Sequence, residues 1–252
     1  MTIRTLVLAL LAAATPAAAQ DLRSRIEGAP DGTVRLSFAA RAGVCGNGRN
    51  ISTGGRHGGK DGWEHDCESG PVRVAIDVSG RRVGAVRTYV GGRWRNVNSG
   101  EITDLGMVSA PQAAAFFLAL AEREERVKGD LVLPAILADS TEAWPSLLRI
   151  AKNDGVRTET RKHAVFWLSQ EASEAAARGL TDIVNDSDDD REVRKQAVFA
   201  LSQLPHDRGV PALIEVARTN KDREVRKSAI FWLGQSEDPR AIRLFEELLT
   251  KR

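Results

Sequence analysis

VRKQAVFAL, Val193–Leu201, returns 32 residues later as VRKSAIFWL, Val225–Leu233, and lies 33 residues after TRKHAVFWL, Thr160–Leu168. Near-identical text at such a period marks a structural unit that stacks on copies of itself. Aligning the copies superposes Ala164, Ala197 and Ala229, then Phe166, Phe199 and Phe231, then Leu168, Leu201 and Leu233. Further columns follow at the same period: Leu147, Leu180, Leu213 and Phe245, then Ile150, Ile183, Val216 and Leu248. Both sets recur at helical spacing, so each unit holds two short helices. First helices are expected near 158–169, 191–202 and 223–234, and second helices near 142–151, 173–184, 207–217 and 238–249. The stretches SQEAS, SQLPHD and GQSED between them are turn-like. Residues 131–139 read as the first helix of a worn, earlier unit. A single pair carries apolar residues on more than one face, and stacking buries them. The alanines suit close helix crossings. The phenylalanine column is expected to supply bulk between layers, with Trp167 and Trp232 in the core or flanking a groove.

Each copy also carries a basic pair: Arg161–Lys162, Arg194–Lys195 and Arg226–Lys227. Adjacent residues on a helix do not share a face. One member of each pair is therefore expected to meet carboxylates such as Asp190, Glu192, Asp222 and Glu224, and the other to face solvent. The DSDDD stretch, Asp186–Asp190, begins like a calcium loop, but Arg191 stands where the turn glycine belongs and Ala197 where the last acidic ligand belongs. An acidic turn at a helix start is the better reading, because negative charge is favourable there.

The repeated half, about 131–250, resembles the HEAT-repeat families, and within them the short bacterial repeats related to those of phycobilisome lyases. DREVRKQAVFALSQL from Asp190, DREVRKSAIFWLGQ from Asp222 and the second-helix stretch RGVPALIEVA from Arg208 carry the likeness. It implies an all-α solenoid that binds a protein partner along one face. The lyases attach bilins to cysteines, and no residue set here matches that chemistry. Fold alone does not give function.

The first half has a different texture. MTIRTLVLALLAAATPAAAQ has an early Arg4, an apolar stretch from Leu6 to Ala14, and Ala17 and Ala19 at the small-residue positions before Gln20. This is the pattern of a secretory signal peptide, too short in its apolar part to span a bilayer. Export to the periplasm or the exterior is expected, in a form with no membrane span. Cys45 and Cys67, the two cysteines, are then expected to pair, contributing about 3 kcal/mol by closing their loop. TVRLSFAAR places Val34, Leu36 and Phe38 on one side, and PVRVAIDV does the same with Val72, Val74, Ile76 and Val78. VGAVRTYVGGRW returns after a turn at Gly80. A small antiparallel sheet is expected, followed by one helix capped by Ser109 and carrying Phe117, Leu118 and Leu120. The expected class is α+β, divided into a signal peptide (1–19), a linker (20–29), a disulfide-stapled module (30–123) and helical repeats (124–250). The module also resembles the N-terminal region often joined to secreted bacterial HEAT-repeat proteins, a likeness that transfers no activity.

Between the cysteines lies a glycine-rich loop with Arg49, Arg56, His57, Trp63 and His65. These form a candidate ligand site, since exposed backbone N–H groups and arginines suit anions. Cys45, His57, His65 and Cys67 also make a zinc donor set, but their spacing is irregular and oxidation competes for both thiols. No spacing assembles a nucleophile, base and acid, and His163 aligns with Gln196 and Ser228. A net charge of +2 and a hydrophobic share of 42% give no argument for nucleic acid or membrane binding. The expectation is an exported, non-catalytic adaptor without a cofactor. It would bind a protein through Arg161, Lys162, Arg194, Lys195, Arg226, Lys227, Trp167 and Trp232. A lyase, a hydrolase, or a small-ligand or metal-binding protein using the cysteine loop is the alternative. Mass measurement of the exported chain is expected to find a first residue at Gln20; an intact Met1 in that fraction refutes processing.

Overall fold

A computed structural model describes residues 16–53, 67–92, 94, 100–123, 126–170, 174–204 and 208–250, with side chains from Asp21 onward. The chain divides into two compact units. The first takes residues up to Phe117 with 127–129 and 133–141, and the second takes 118–126, 130–132 and everything from Glu142.

In the first unit, β1 (Gly32–Phe38) lies antiparallel to β5 (Val72–Ser79), which lies antiparallel to β6 (Arg82–Tyr89). The β5–β6 turn passes through Gly80 and Arg81, both at positive φ. Alternation works as expected: Val34, Leu36, Phe38, Val72, Val74, Ile76 and Val78 are all buried. The fourth strand, β7 (Glu101–Met107), runs parallel to β1, so the sheet is mixed, in the order β6-β5-β1-β7. No strand was expected at EITDLGM, because every residue in it stays exposed or half-exposed. Its pairing comes from backbone approach: a Cβ on Gly32 would lie 2.2 Å from the Glu101 carbonyl oxygen. Glu101 and Asp104 put charge on this edge strand, which discourages further pairing.

A second sheet sets β2 (Cys45–Asn47) antiparallel to both β3 (Asn50–Ser52) and β4 (Glu68–Ser69). Cys45 and Cys67 form a disulfide. Residues 20–29, expected as a linker, are instead mostly helix: α1 spans Pro16–Glu27, with Leu22 and Ile26 fully buried. The Ala19–Gln20 bond, where cleavage is expected, lies inside it. Helix α2 (Ala110–Arg123) begins as predicted, with the Ser109 hydroxyl accepting from the Gln112 N–H and Phe117 fully buried. The worn repeat helix expected at 131–139 is only α3 (Leu133–Leu137). It belongs to the first unit, where the Leu137 carbonyl accepts from the Arg41 N–H.

The second unit contains α4 (Trp144–Lys152), α5 (Thr158–Leu168), α6 (Glu174–Asn185), α7 (Arg191–Ser202), α8 (Val210–Thr219), α9 (Arg223–Gly234) and α10 (Pro239–Thr250). These bounds follow the periodicity closely. Helices α5, α7 and α9 stack in one row and α4, α6, α8 and α10 in a second. The most extensive contacts join α4 to α5, α6 to α7 and α8 to α9. The packed pair therefore closes across the acidic turns, not across the SQ-containing turns the repeat alignment favoured. Ala164, Ala197 and Ala229 are fully buried, as close crossings require. At the α7–α8 turn the approach is closer still: a Cβ on Gly209 would lie 1.8 Å from the Leu201 carbonyl oxygen.

Aspartates start these helices. Asp190 and Asp222 accept from the N–H groups of Glu192 and Glu224 at 2.7 and 2.9 Å, satisfying donors that a helix N-terminus leaves open. These bonds hold both carboxyls below the ordinary carboxylate range. At α10, the Arg240 side chain and backbone N–H together lower Asp238 to about 2. A carboxyl depressed by folding stabilises the fold above its unfolded pKa, and that contribution fades as pH falls through the folded value. The repeats are therefore expected to lose stability below about pH 4. Asp190→Asn keeps a cap without the titrating group, so its loss between about pH 4 and 2 should be shallower in acid melts followed by circular dichroism.

Candidate functional site

The first row of helices carries the predicted basic pairs, and the two members of each pair do different work. The arginines turn inward. Arg161 is 3% exposed; its Nε donates to the Ala151 carbonyl at the end of α4, and Nη2 reaches Asp189 of the next unit at 2.6 Å. Arg194 repeats this with the Val184 carbonyl, the Asn220 side-chain oxygen and Asp222. Arg226 donates to the backbone carbonyls of Asn220 and Lys221. Arg161 and Arg194 thus clamp one repeat to the next, and they leave the expected partner surface.

The unequal repeat spacing has a cause here. Asp222 caps α9 with one carboxylate oxygen and takes Arg194 with the other. One repeat earlier those tasks belong to two residues, Asp190 for the cap and Asp189 for Arg161. The extra residue in the DSDDD turn is thus accounted for by helix capping and the clamp.

The lysines face outward, each paired three residues back: Lys162 with Glu159, Lys195 with Glu192, and Lys227 with Glu224, at 3.2, 3.4 and 2.9 Å. Exposed pairs of this kind add little stability. They also neutralise the ladder, so the face does not present the bare positive stripe the sequence suggested.

What it presents is aromatic. Phe166, Phe199 and Phe231 stand four residues after the lysines, one turn along the same helix faces. They were expected as inter-layer bulk, yet Phe231 is 58% exposed, Phe166 38%, and Phe199 half-buried. Trp232 is half-buried, its ring 4.8 Å from Phe199 of the preceding unit and 5.0 Å from Phe231. Trp167, also half-buried, meets Phe166 at 5.1 Å. Ala200 holds the middle tryptophan position. Ile230 extends the apolar strip. Next to Trp232 a cleft of about 460 Å³ opens between the α7–α8 and α9–α10 turns, edged by Gln203, Gln235 and Glu237. Gln170, Gln203 and Gln235 are exposed at matching positions beyond the phenylalanines. Rings bordered by carboxamides and neutralised ion pairs suit apolar side chains and peptide groups.

His163 lies on α5, half-exposed, 3.4 Å from Asp130. Their hydrogen bond raises the imidazole pKa. Among the described residues no group of three or more His, Cys, Asp or Glu is arranged to hold a metal. Of the loop candidates, Arg49 is exposed in the turn between β2 and β3, while Arg56, His57, Trp63 and His65 lie outside the described residues. The disulfide takes both thiols of the zinc donor set, which removes that reading. Sequence reasoning passed over Trp94, whose ring lies 4.7 Å from the Arg35 guanidinium and 5.2 Å from that of Arg73. Arg73 is held by the Gly91 and Gly92 carbonyls, and neighbouring Arg87 by Asp77. No spacing rule flags this cluster, because strand pairing assembles it.

Residues 186–252 match the family of HEAT repeats, a segment containing α7–α10. No curated protein is similar enough to the chain to match it. Among the described residues no helix is long and apolar enough to cross a membrane.

The division of the basic pairs has a measurable consequence. Arg161→Ala strands the Asp189 side chain, itself 7% exposed, and is expected to cost about 3–5 kcal/mol in urea melts. Lys162→Ala is expected to stay within about 0.5 kcal/mol of the parent. Equal effects would contradict the clamp.

Proposed function

We propose that this chain is an exported, non-catalytic adaptor that holds a protein partner on the outer face of α5, α7 and α9. HEAT repeats commonly mediate protein–protein interactions, and the match over 186–252 supports that class of role. The observation that carries the reading is the aromatic strip: Phe166, Phe231 and Ile230 exposed beside half-buried Trp232. Aromatic side chains exposed in a continuous strip are costly in water and are enriched where proteins meet. Anchors of this kind dominate interface energetics. Export is supported by the charged, apolar and small-residue order of 1–19 and by the disulfide, which persists in oxidising compartments. The partner is recognised chiefly by apolar contact, since the lysines are already paired.

Two variants of the full chain separate the face's components in affinity capture from the exported fraction. Phe166→Ser with Phe231→Ser is expected to weaken capture at least tenfold while the melting temperature holds, because both side chains are solvent-exposed. Lys162→Ala, Lys195→Ala and Lys227→Ala together are expected to change capture less than threefold. Full capture by the phenylalanine variant would eliminate this face and leave the Cys45–Cys67 loop as the remaining candidate.

A further inference from the structure

The cleft beside Trp232 differs in charge from the rest of the aromatic strip. Buried Leu201 and Leu213 form its apolar floor, and the Trp232 ring borders it. Gln203, Gln235, Glu237 and Asp238 supply its polar rim, and among the described residues no lysine or arginine lines it. The two carboxylates are not alike. Asp238 is taken by Arg240, which donates to its two oxygens at 2.9 and 2.6 Å. Glu237 is exposed and pairs with no cation among the described residues. Along the strip itself, Glu159, Glu192 and Glu224 are each matched by a lysine. The repeat alignment also singles out this cleft. Trp232 and Glu237 stand where the preceding repeat has Ala200 and Pro205, and where the one before has Trp167 and Ala172. An indole and an open carboxylate therefore come together at these positions in the last repeat alone.

An apolar floor, an indole and an open carboxylate at the rim are the surfaces that a long cationic side chain uses. Its methylene stem lies on apolar surface while its charged head stays at the edge. The head is drawn to an aromatic face and to the opposite charge. A guanidinium fits better than an ammonium, because it is planar, stacks on rings and is more weakly hydrated. It also brings five N–H donors, for which the Glu237 carboxylate and the Gln203 and Gln235 side-chain oxygens are acceptors. Gln203 gives its own amide N–H to the Ser202 hydroxyl, which leaves that oxygen to accept. We propose that the Trp232 cleft takes an arginine side chain of the protein partner, stacked on the indole and ion-paired with Glu237. The inference names one anchor of the adaptor reading above, and rests on that reading for the occupant being a protein.

The probe is an acetylated, amidated tripeptide, leucyl-arginyl-leucine, titrated into the isotope-labelled full chain while NMR follows the Trp232 indole N–H. A saturable shift is expected. The citrullyl peptide has nearly the same shape without the charge and is expected to bind about fivefold more weakly. The lysyl peptide should also bind more weakly than the arginyl one. Glu237→Gln, at an exposed position, is expected to reduce affinity for the arginyl peptide to the citrullyl level while the melting temperature holds. Combining the citrullyl peptide with Glu237→Gln should cost no more than either change alone, as one shared contact requires. Lack of saturation, equal binding of the arginyl peptide and either control, or unchanged affinity in Glu237→Gln would each overturn the proposal. None of these results bears on capture by the Phe166 and Phe231 variant. Full capture by that variant, with peptide binding intact, would overturn the strip reading and leave the arginine site standing.

Discussion

The buried arginine clamp organises the repeat unit. A guanidinium withdrawn from water is tolerated only when its donors are met, and Arg161 meets them with a helix-end carbonyl behind it and a carboxylate ahead. One partner ends α4 and the other lies in the turn that leads into α7, so one side chain sets the spacing of three helices. Hydrophobic burial along the alanine and leucine columns supplies the driving force but would tolerate small slips between helices. The clamp does not, because a slip would leave both ions buried and unpaired. Asn220 extends the same logic: its side chain accepts from Arg194 and donates to the Val184 carbonyl, joining two successive turns.

With the arginine committed inward, the rest of the helix surface follows from geometry. Residues one turn from the lysines must point outward with them, so Phe166 and Phe231 cannot fill space between layers. The aromatic strip is thus a consequence of where the arginine points. The intrahelical Glu–Lys pairs balance charge beside it, which shifts recognition from electrostatic steering toward apolar contact. Along α10, Leu244 at mid-helix is buried against the stack while Leu249 in the last turn is open.

The first unit works by a different division of labour. One face of its four-stranded sheet buries Val34, Leu36, Phe38, Val72, Val74, Ile76 and Val78, and on the other Arg87 is held by Asp77 and Arg73 by glycine carbonyls, with the Trp94 ring close to Arg35 and Arg73. The contacts of Arg73 and Arg87 join neighbouring strands and the chain after β6, so these arginines act in structure. Helix α1 adds Leu22 and Ile26 to the unit's core, in a segment whose composition reads as a junction.

By itself the sequence determined the seven repeat helices, the three antiparallel core strands and the cysteine pairing. These depend on local periodicity of 3.6 or 2 residues, on text copied at a constant period, and on the two thiols being the only candidates for each other. It also separated the basic pairs into an inward and an outward member, with the lysines as first choice for the outward one, but without naming all of the inward member's partners. Only the tertiary structure identified what the arginine meets inside, a carbonyl ten residues back and an aspartate 28 residues ahead. Only packing turned the phenylalanine column outward, made 131–139 part of the first unit, and recruited the weakly patterned β7 as a parallel edge strand. Each of these depends on contacts between residues far apart in the chain, and periodicity within one segment carries no record of what lies across from it.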